Sequence, residues 1–330
     1  MPESTPPIPP VSSATAAAKA GPSNLRLRVI YAVLGAAMLL GSVWFSPWTF
    51  GIFFAAVQAV MLWEFYRMMR AGGYAPATWI GVVVSVILFG MSAVLKFNMH
   101  ADMSRVDFAT AGQPGWHTIT LPFAWILGPL LLLPVVLIVR EMLLWPRYEK
   151  PFGNVGATLT GLAYVTLPMC LLIGIAHNFN LLSDAPASAN LLHPIGYDYR
   201  RIFALLFLIW ASDIGAYAAG KTFGKHKLAP KISPGKTWEG WAGGFVLTLI
   251  VGWALGYLLP DMPLTHRLVA AGVVAVFAPL GDLAESMLKR SVGVKDSGRI
   301  MPGHGGLLDR FDAFLLVLPV LALLQLLFSR

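Results

Sequence analysis

Apolar runs recur along this chain at a length that suits a bilayer. A window of about 20 residues, the length of helix that crosses the hydrocarbon core, finds nine: 27–47, 48–66, 77–95, 122–144, 154–177, 201–219, 240–259, 267–285 and 312–328. Inside hydrocarbon every backbone N–H and C=O must pair within the protein, so runs of this length predict helices rather than strands. Ser46 and Pro47 leave only a tight turn between the first two. The expected fold class is all-α, a polytopic integral membrane protein with about nine transmembrane helices. With 57% hydrophobic residues and a mean hydropathy of +0.68, the 330-residue chain is too apolar for a soluble globular domain.

Loop charge orients the helices. With the N-terminus in the cytoplasm, segments 1–26, 67–76, 145–153, 220–239 and 286–311 lie inside. With short flanks they hold 18 of the 24 Lys and Arg, against 6 outside. This asymmetry follows the positive-inside rule and predicts an N-in, C-out chain. Residues 1–24 are rich in Pro, Ser, Ala and Thr, with Glu3 and Lys19 the only charges, and predict a disordered cytoplasmic tail. They lack the basic start and short apolar core of a cleaved signal, so the first span is expected to stay as an anchor. A single membrane domain is expected over 25–330. The lone cysteine, Cys170, lies within an apolar run and reads as an inert buried thiol. The net charge of +8 suits anionic headgroups or a phosphate-bearing substrate. No basic tract interleaved with aromatics stands outside the membrane, which argues against nucleic acid as a partner.

Ionisable groups in a spanning helix cost roughly 2.5–3.5 kcal/mol each on insertion scales, so their positions carry information. Segment 282–312, DLAESMLKRSVGVKDSGRIMPGHGGLLDRFD, gathers Asp282, Glu285, Asp296, Asp309 and Asp312 with Lys289, Arg290, Lys295, Arg299, Arg310 and His304. Asp282, Glu285 and Lys289 fall at i, i+3 and i+7 on one helix face, with Ser286 beside them. A Glu285–Lys289 ion pair within the helix explains those two but not Asp282, one turn deeper. The run PGHGG at 302–306 lets backbone N–H groups approach an anion. Asp309 and Asp312 follow at the mouth of the last span. Helix capping suits Asp312, whereas Asp309 is expected to meet Asp282 across the helix interface and form an oxygen site for Mg²⁺.

A second cluster precedes it. Loop 220–240, GKTFGKHKLAPKISPGKTWEG, offers Lys221, Lys225, Lys227, Lys231 and Lys236 amid Gly and Pro. Its GKT at 235–237 is no P-loop, because the first glycine of that pattern would fall on Pro230 and a membrane helix follows. The expectation is phosphate binding by several lysines. Asp213, with Tyr217 one turn on, is read as lining the same site; an ion pair with Lys221 is the alternative. Glu64, near Arg67 and Arg70, is read as a snorkelling ion pair at a helix end.

Segments 286–312 and 212–240 closely resemble the signature of the phosphatidate cytidylyltransferases, or CDP-diglyceride synthases. The likeness covers roughly 210–313. Met301 stands where that family commonly has Ile, Leu or Phe, an apolar exchange. The resemblance implies cytidylyl transfer from CTP to phosphatidate in a bacterial inner membrane, with Mg²⁺ held by Asp282 and Asp309; a second cation is compatible with the site. Asp282, Asp309 and Lys289 are the expected catalytic residues. Asp213, Lys225, Lys227, Lys236, Ser286, Arg290, Lys295, His304 and Arg310 are the expected substrate contacts. Homodimers are common among multi-span enzymes, and the sequence is compatible with one. A lipid or polyprenol kinase and an ion or solute transporter are the rival readings.

Overall fold

Ser46 alone separates the first two helices, α1 (Pro22–Phe45) and α2 (Pro47–Ala71), in a computed structural model that describes residues 22–103, 117–177, 196–298, 300 and 305–327. Ser46 is extended and its hydroxyl accepts the Thr49 N–H at 3.1 Å. Thr49 Oγ1 accepts the Ser46 N–H in return, also at 3.1 Å, and Pro47 fills the first helical position. This reciprocal box satisfies two helix-end donors while the chain turns sharply. Next come α3 (Thr78–Met103) and α4 (His117–Leu144). Then α5 (Pro151–Gly161), a π-helical turn (Leu162–Thr166) and α6 (Leu167–Ala176) form one continuous rod. Four helices complete the order: α7 (Tyr199–Phe223), α8 (Trp238–Ala254), α9 (Leu264–Ser291) and α10 (Leu308–Leu327).

Each predicted apolar run falls on helical backbone to within a few residues. Among the described residues five helical stretches are long and apolar enough to cross a membrane: Pro47–Ala71, Pro151–Ala176, Tyr199–Phe223, Trp238–Tyr257 and Leu264–Ser291. The protein is a helical membrane protein. Exposed Leu131, Leu132, Val135, Val139 and Leu143 on α4 make an apolar face that suits lipid contact. The all-α expectation needs one amendment, because the basic loop contains a short antiparallel hairpin. Strand β1 (Lys227–Ala229) pairs with β2 (Ser233–Thr237), Lys227 opposite Thr237 and Ala229 opposite Ser233. Pro230 sits at the second position of the turn, which the Ile232 N–H closes onto Ala229 O at 3.1 Å. Residues 1–21 of the expected tail, and residues 104–116 and 178–195, lie outside the described residues.

Helix α2 runs through the core. Its Phe50, Phe54, Met61, Leu62 and Phe65 are buried in one cluster with residues of α6 and α10. Polar contacts lock neighbouring helices where no water can enter. Gln58 Nε2 donates to Ser85 O (2.9 Å) and Oγ (2.7 Å), and Thr166 of the π turn donates to the same Ser85 Oγ at 2.9 Å. Helices α7, α8, α9 and α10 pack in succession, and α10 also touches α6 and α2. Segments far apart in sequence thus meet beside the first turn of α10.

Candidate active site

The site begins at a flaw in α9. Pro279 lies inside this helix and has no N–H for the carbonyl of Ala275, one turn back. Trp241 Nε1 of α8 donates to that oxygen at 3.0 Å. Two residues on, a Cβ at Gly281 would meet Asp312 O at 2.6 Å and Ala313 Cα at 2.9 Å. Only glycine allows the α10 backbone this close. The contact brings α10 against α9 where the carboxylates lie.

Asp282, Glu285 and Asp312 form the resulting acidic group, with one oxygen of each within 4.8 Å of the others. Glu285 is 1% exposed, and its Oε1 is buried without a hydrogen-bond partner among the described residues. Asp282 stays open: its side chain is 47% exposed, and it accepts from Ser286 Oγ at 3.3 Å and pairs with Lys236 Nζ at 2.8 Å. Lys236 also donates to Pro279 O at 3.1 Å. Asp213 on α7 is exposed, with Asp282, Lys236 and Arg310 as charged neighbours. Tyr164, on the π turn, has a buried hydroxyl without a hydrogen-bond partner among the described residues, within electrostatic reach of the same three acids. π-Helical turns are rare and frequent at functional sites. Nothing in the sequence around Tyr164 signalled this.

Asp309 is placed differently from the expectation. The acidic group around Asp282 contains Asp312, whereas Asp309 is engaged by donors. Lys289 Nζ binds Asp309 Oδ1 at 2.6 Å and pairs with Glu285 as well. The N–H groups of Gly306 (2.8 Å) and Ser297 (3.2 Å) donate to Asp309 Oδ2. Gly305 adopts the left-handed φ of 83° that the turn into α10 requires. Asp309 therefore fastens the glycine loop to Lys289, and Lys289 joins Asp309 to Glu285 and so to the acidic group. The spacing of Asp309 and Asp312, three apart on one helix, left both facing α9, and the Gly281 contact selects Asp312.

The hairpin divides the lysines of the basic loop. Lys236 points inward to Asp282, whereas Lys225 and Lys227 are exposed. Glu239, in the first turn of α8, anchors the hairpin: it binds His226 Nδ1 at 2.5 Å and accepts the N–H groups of Lys225 (3.1 Å) and His226 (3.2 Å). Arg290, Lys295 and Arg310 are exposed, and Arg310 is a charged neighbour of Asp213. Arg290 and Lys295 form no ion pair among the described residues. His304 lies outside them.

Glu64 overturns its sequence reading. It is fully buried and makes no ion pair with Arg67 or Arg70 among the described residues. Its carboxylate accepts the Leu308 N–H at 2.9 Å and faces Ser297 Oγ at 3.4 Å. Arg67 donates to Ser297 O at 2.9 Å and stacks over Trp63. A residue taken for a surface pair belongs to the wall of the site.

Comparison with known proteins places the chain in a family. Residues 26–328 match the model of the cytidylyltransferase family. The chain belongs to this family. It is similar to a phosphatidate cytidylyltransferase of Bacillus subtilis, 35% identical over 308 residues that cover 93% of this chain and 99% of the relative. A Haemophilus influenzae protein of the same description is 30% identical over 312 residues, covering 89% and 96%. A Staphylococcus aureus relative, again so described, is 52% identical over a shorter stretch of 124 residues, 37% of this chain and 47% of its own. As a family member, the chain is a cytidylyltransferase whose acidic group is able to hold a metal ion.

Proposed function

We propose that this protein transfers the cytidylyl group of CTP to phosphatidate, forming CDP-diacylglycerol and pyrophosphate. The observation that carries the proposal is the meeting of three carboxylates with Lys236 and Lys289 at the α9–α10 contact, inside a chain that matches the family almost throughout. A phosphate oxygen of phosphatidate attacks the α-phosphorus of CTP. The bond from that phosphorus to the bridging oxygen breaks, and its electron pair leaves with pyrophosphate. The phosphate monoester is already anionic near neutral pH and needs no strong base. The protein has to align the reactants and neutralise charge.

The donor set fits a divalent cation, Mg²⁺ by preference. The oxygens are hard, three carboxylates converge, and Glu285 Oε1 is buried without a hydrogen-bond partner among the described residues. Asp282 and Asp312 would hold the ion, with Glu285 in reach; Asp309 positions Lys289 beside it. When bound, Mg²⁺ neutralises charge on the phosphates. Lys236 neutralises Asp282 until a phosphate replaces it as partner. Lys225, Lys227, Arg290, Lys295, His304 and Arg310 supply positive charge around the triphosphate and the lipid phosphate, and Asp213 lines the entrance. The nine-span, N-in and C-out arrangement would place this site at the cytoplasmic face of the bacterial inner membrane, within a single domain over 25–330.

The deciding experiment incubates purified protein with phosphatidate, Mg²⁺ and CTP labelled at the α-phosphorus. Label recovered in lipid, with stoichiometric pyrophosphate, is the expected result. Label transferred to lipid only from the γ-position would make the protein a kinase. Solute flux across sealed vesicles without pyrophosphate release would make it a transporter.

A further inference from the structure

Glu64 lies on α2, far in sequence from every motif of the site, yet its carboxylate sits against Gly306 and Leu308, where the chain enters α10. It accepts the Leu308 N–H at 2.9 Å and lies 3.4 Å from Ser297 Oγ. The backbone around it leaves no room: a Cβ on Gly298 or on Gly306 would collide with the Glu64 carboxylate. One turn along α2, Arg67 donates to Ser297 O at 2.9 Å. All the polar atoms of Ser297 are therefore engaged, its carbonyl by Arg67, its hydroxyl by Glu64 and its N–H by Asp309.

An isolated buried carboxylate is costly, and ion pairing is the usual compensation. Glu64 has none among the described residues. Its partners are instead loop donors, and the N–H groups of Ser297 and Gly306 hold Asp309, which binds Lys289. From these contacts we infer that Glu64 is a positioning residue for the transfer reaction. It clamps the two ends of the loop, Ser297–Gly298 and Gly306–Leu308, so that Asp309 presents Lys289 to the acidic group. The inference rests on the cytidylyl-transfer reading for its activity arm and on geometry alone for its second arm.

The test compares Glu64→Ala, Glu64→Gln and Glu64→Asp with the wild type in detergent, with activity normalised to folded protein. Glu64→Gln keeps a carbonyl oxygen for Leu308 N and should hold kcat within about threefold. Glu64→Ala removes the acceptor and should lower kcat by about 10–100-fold, the range for residues that orient a group at the reaction centre. KM for phosphatidate should change little. If Glu64→Ala does not fold, Glu64→Asp, which withdraws the carboxylate by one methylene, carries the same expectation. The second arm measures trypsin cleavage after exposed Lys295, which should accelerate in Glu64→Ala and Glu64→Asp but not in Glu64→Gln. Normal kcat in folded Glu64→Ala or Glu64→Asp overturns the inference. Unchanged cleavage in those variants does so too. A wild type that labels no lipid overturns the reading of the reaction instead, and the cleavage arm then decides the role of Glu64.

Discussion

Asp282 is the most accessible member of its acidic group and, among the described residues, the only one paired with a lysine from another element, Lys236. That pairing neutralises the carboxylate, and in the proposed reaction Lys236 would pass to a phosphate. Asp282→Asn and Asp312→Asn should each lower kcat by about 10²-fold, comparable to losing one preorganised charge-stabilising group. Initial rates with α-labelled CTP across a Mg²⁺ titration measure this, and near-normal rates in either variant would remove that residue from the metal role. Asp282, Glu285 and Lys289 were legible in the sequence because helical periodicity places them on one face. The choice between Asp309 and Asp312 was not, since residues three apart share a face and a contact from another helix has to choose. Glu64 was illegible for a different reason: its partner Ser297 lies 233 residues away, and the arginines nearby offered a simpler local explanation.

Among the elements, α9 shows how a helix can be weakened to good effect. Pro279 frees a carbonyl that Trp241 takes up, and Gly281 admits the backbone of α10. Gly281→Ala should force α9 and α10 apart. Overpacking at such a contact costs about 1–3 kcal/mol, so thermal unfolding in detergent should shift downward while turnover falls more steeply than folded protein. A full-activity alanine variant would show that the Asp312 contact tolerates separation. Proline and glycine punctuation in loop 220–240 announced a shaped segment. The strand pairing that turns Lys236 inward and leaves Lys225 and Lys227 outside depended on Glu239 anchoring the hairpin, a contact across thirteen residues that no short pattern encodes.

For the whole molecule, hydropathy located the helices well because hydrocarbon leaves the backbone one economical solution. The order of packing was beyond it, since every spanning helix looks alike to a window average. The charge asymmetry predicts which side each loop occupies. A cysteine placed at Lys231 in a Cys170→Ser background should react with a membrane-impermeant maleimide in inverted vesicles and not in intact cells. Labelling of intact cells would reverse the orientation.

The contact between α2 and the loop before α10 bears on how the chain can be divided. The three acids that cluster at the α9–α10 contact, Asp282, Glu285 and Asp312, lie after residue 199, so the C-terminal half looks sufficient as a catalytic module. Cut there, it would leave Leu308 N–H and Ser297 Oγ facing lipid or a void where Glu64 stood. A fragment starting at Asp198 should therefore be inactive alone and regain labelled-lipid formation when residues 1–177 are co-expressed. Complementation that persists when the N-terminal piece carries Glu64→Ala would show that bulk packing alone supplies the rescue. Rescue that depends on Glu64 would make the seam between the two pieces a reporter of helix assembly in living membranes.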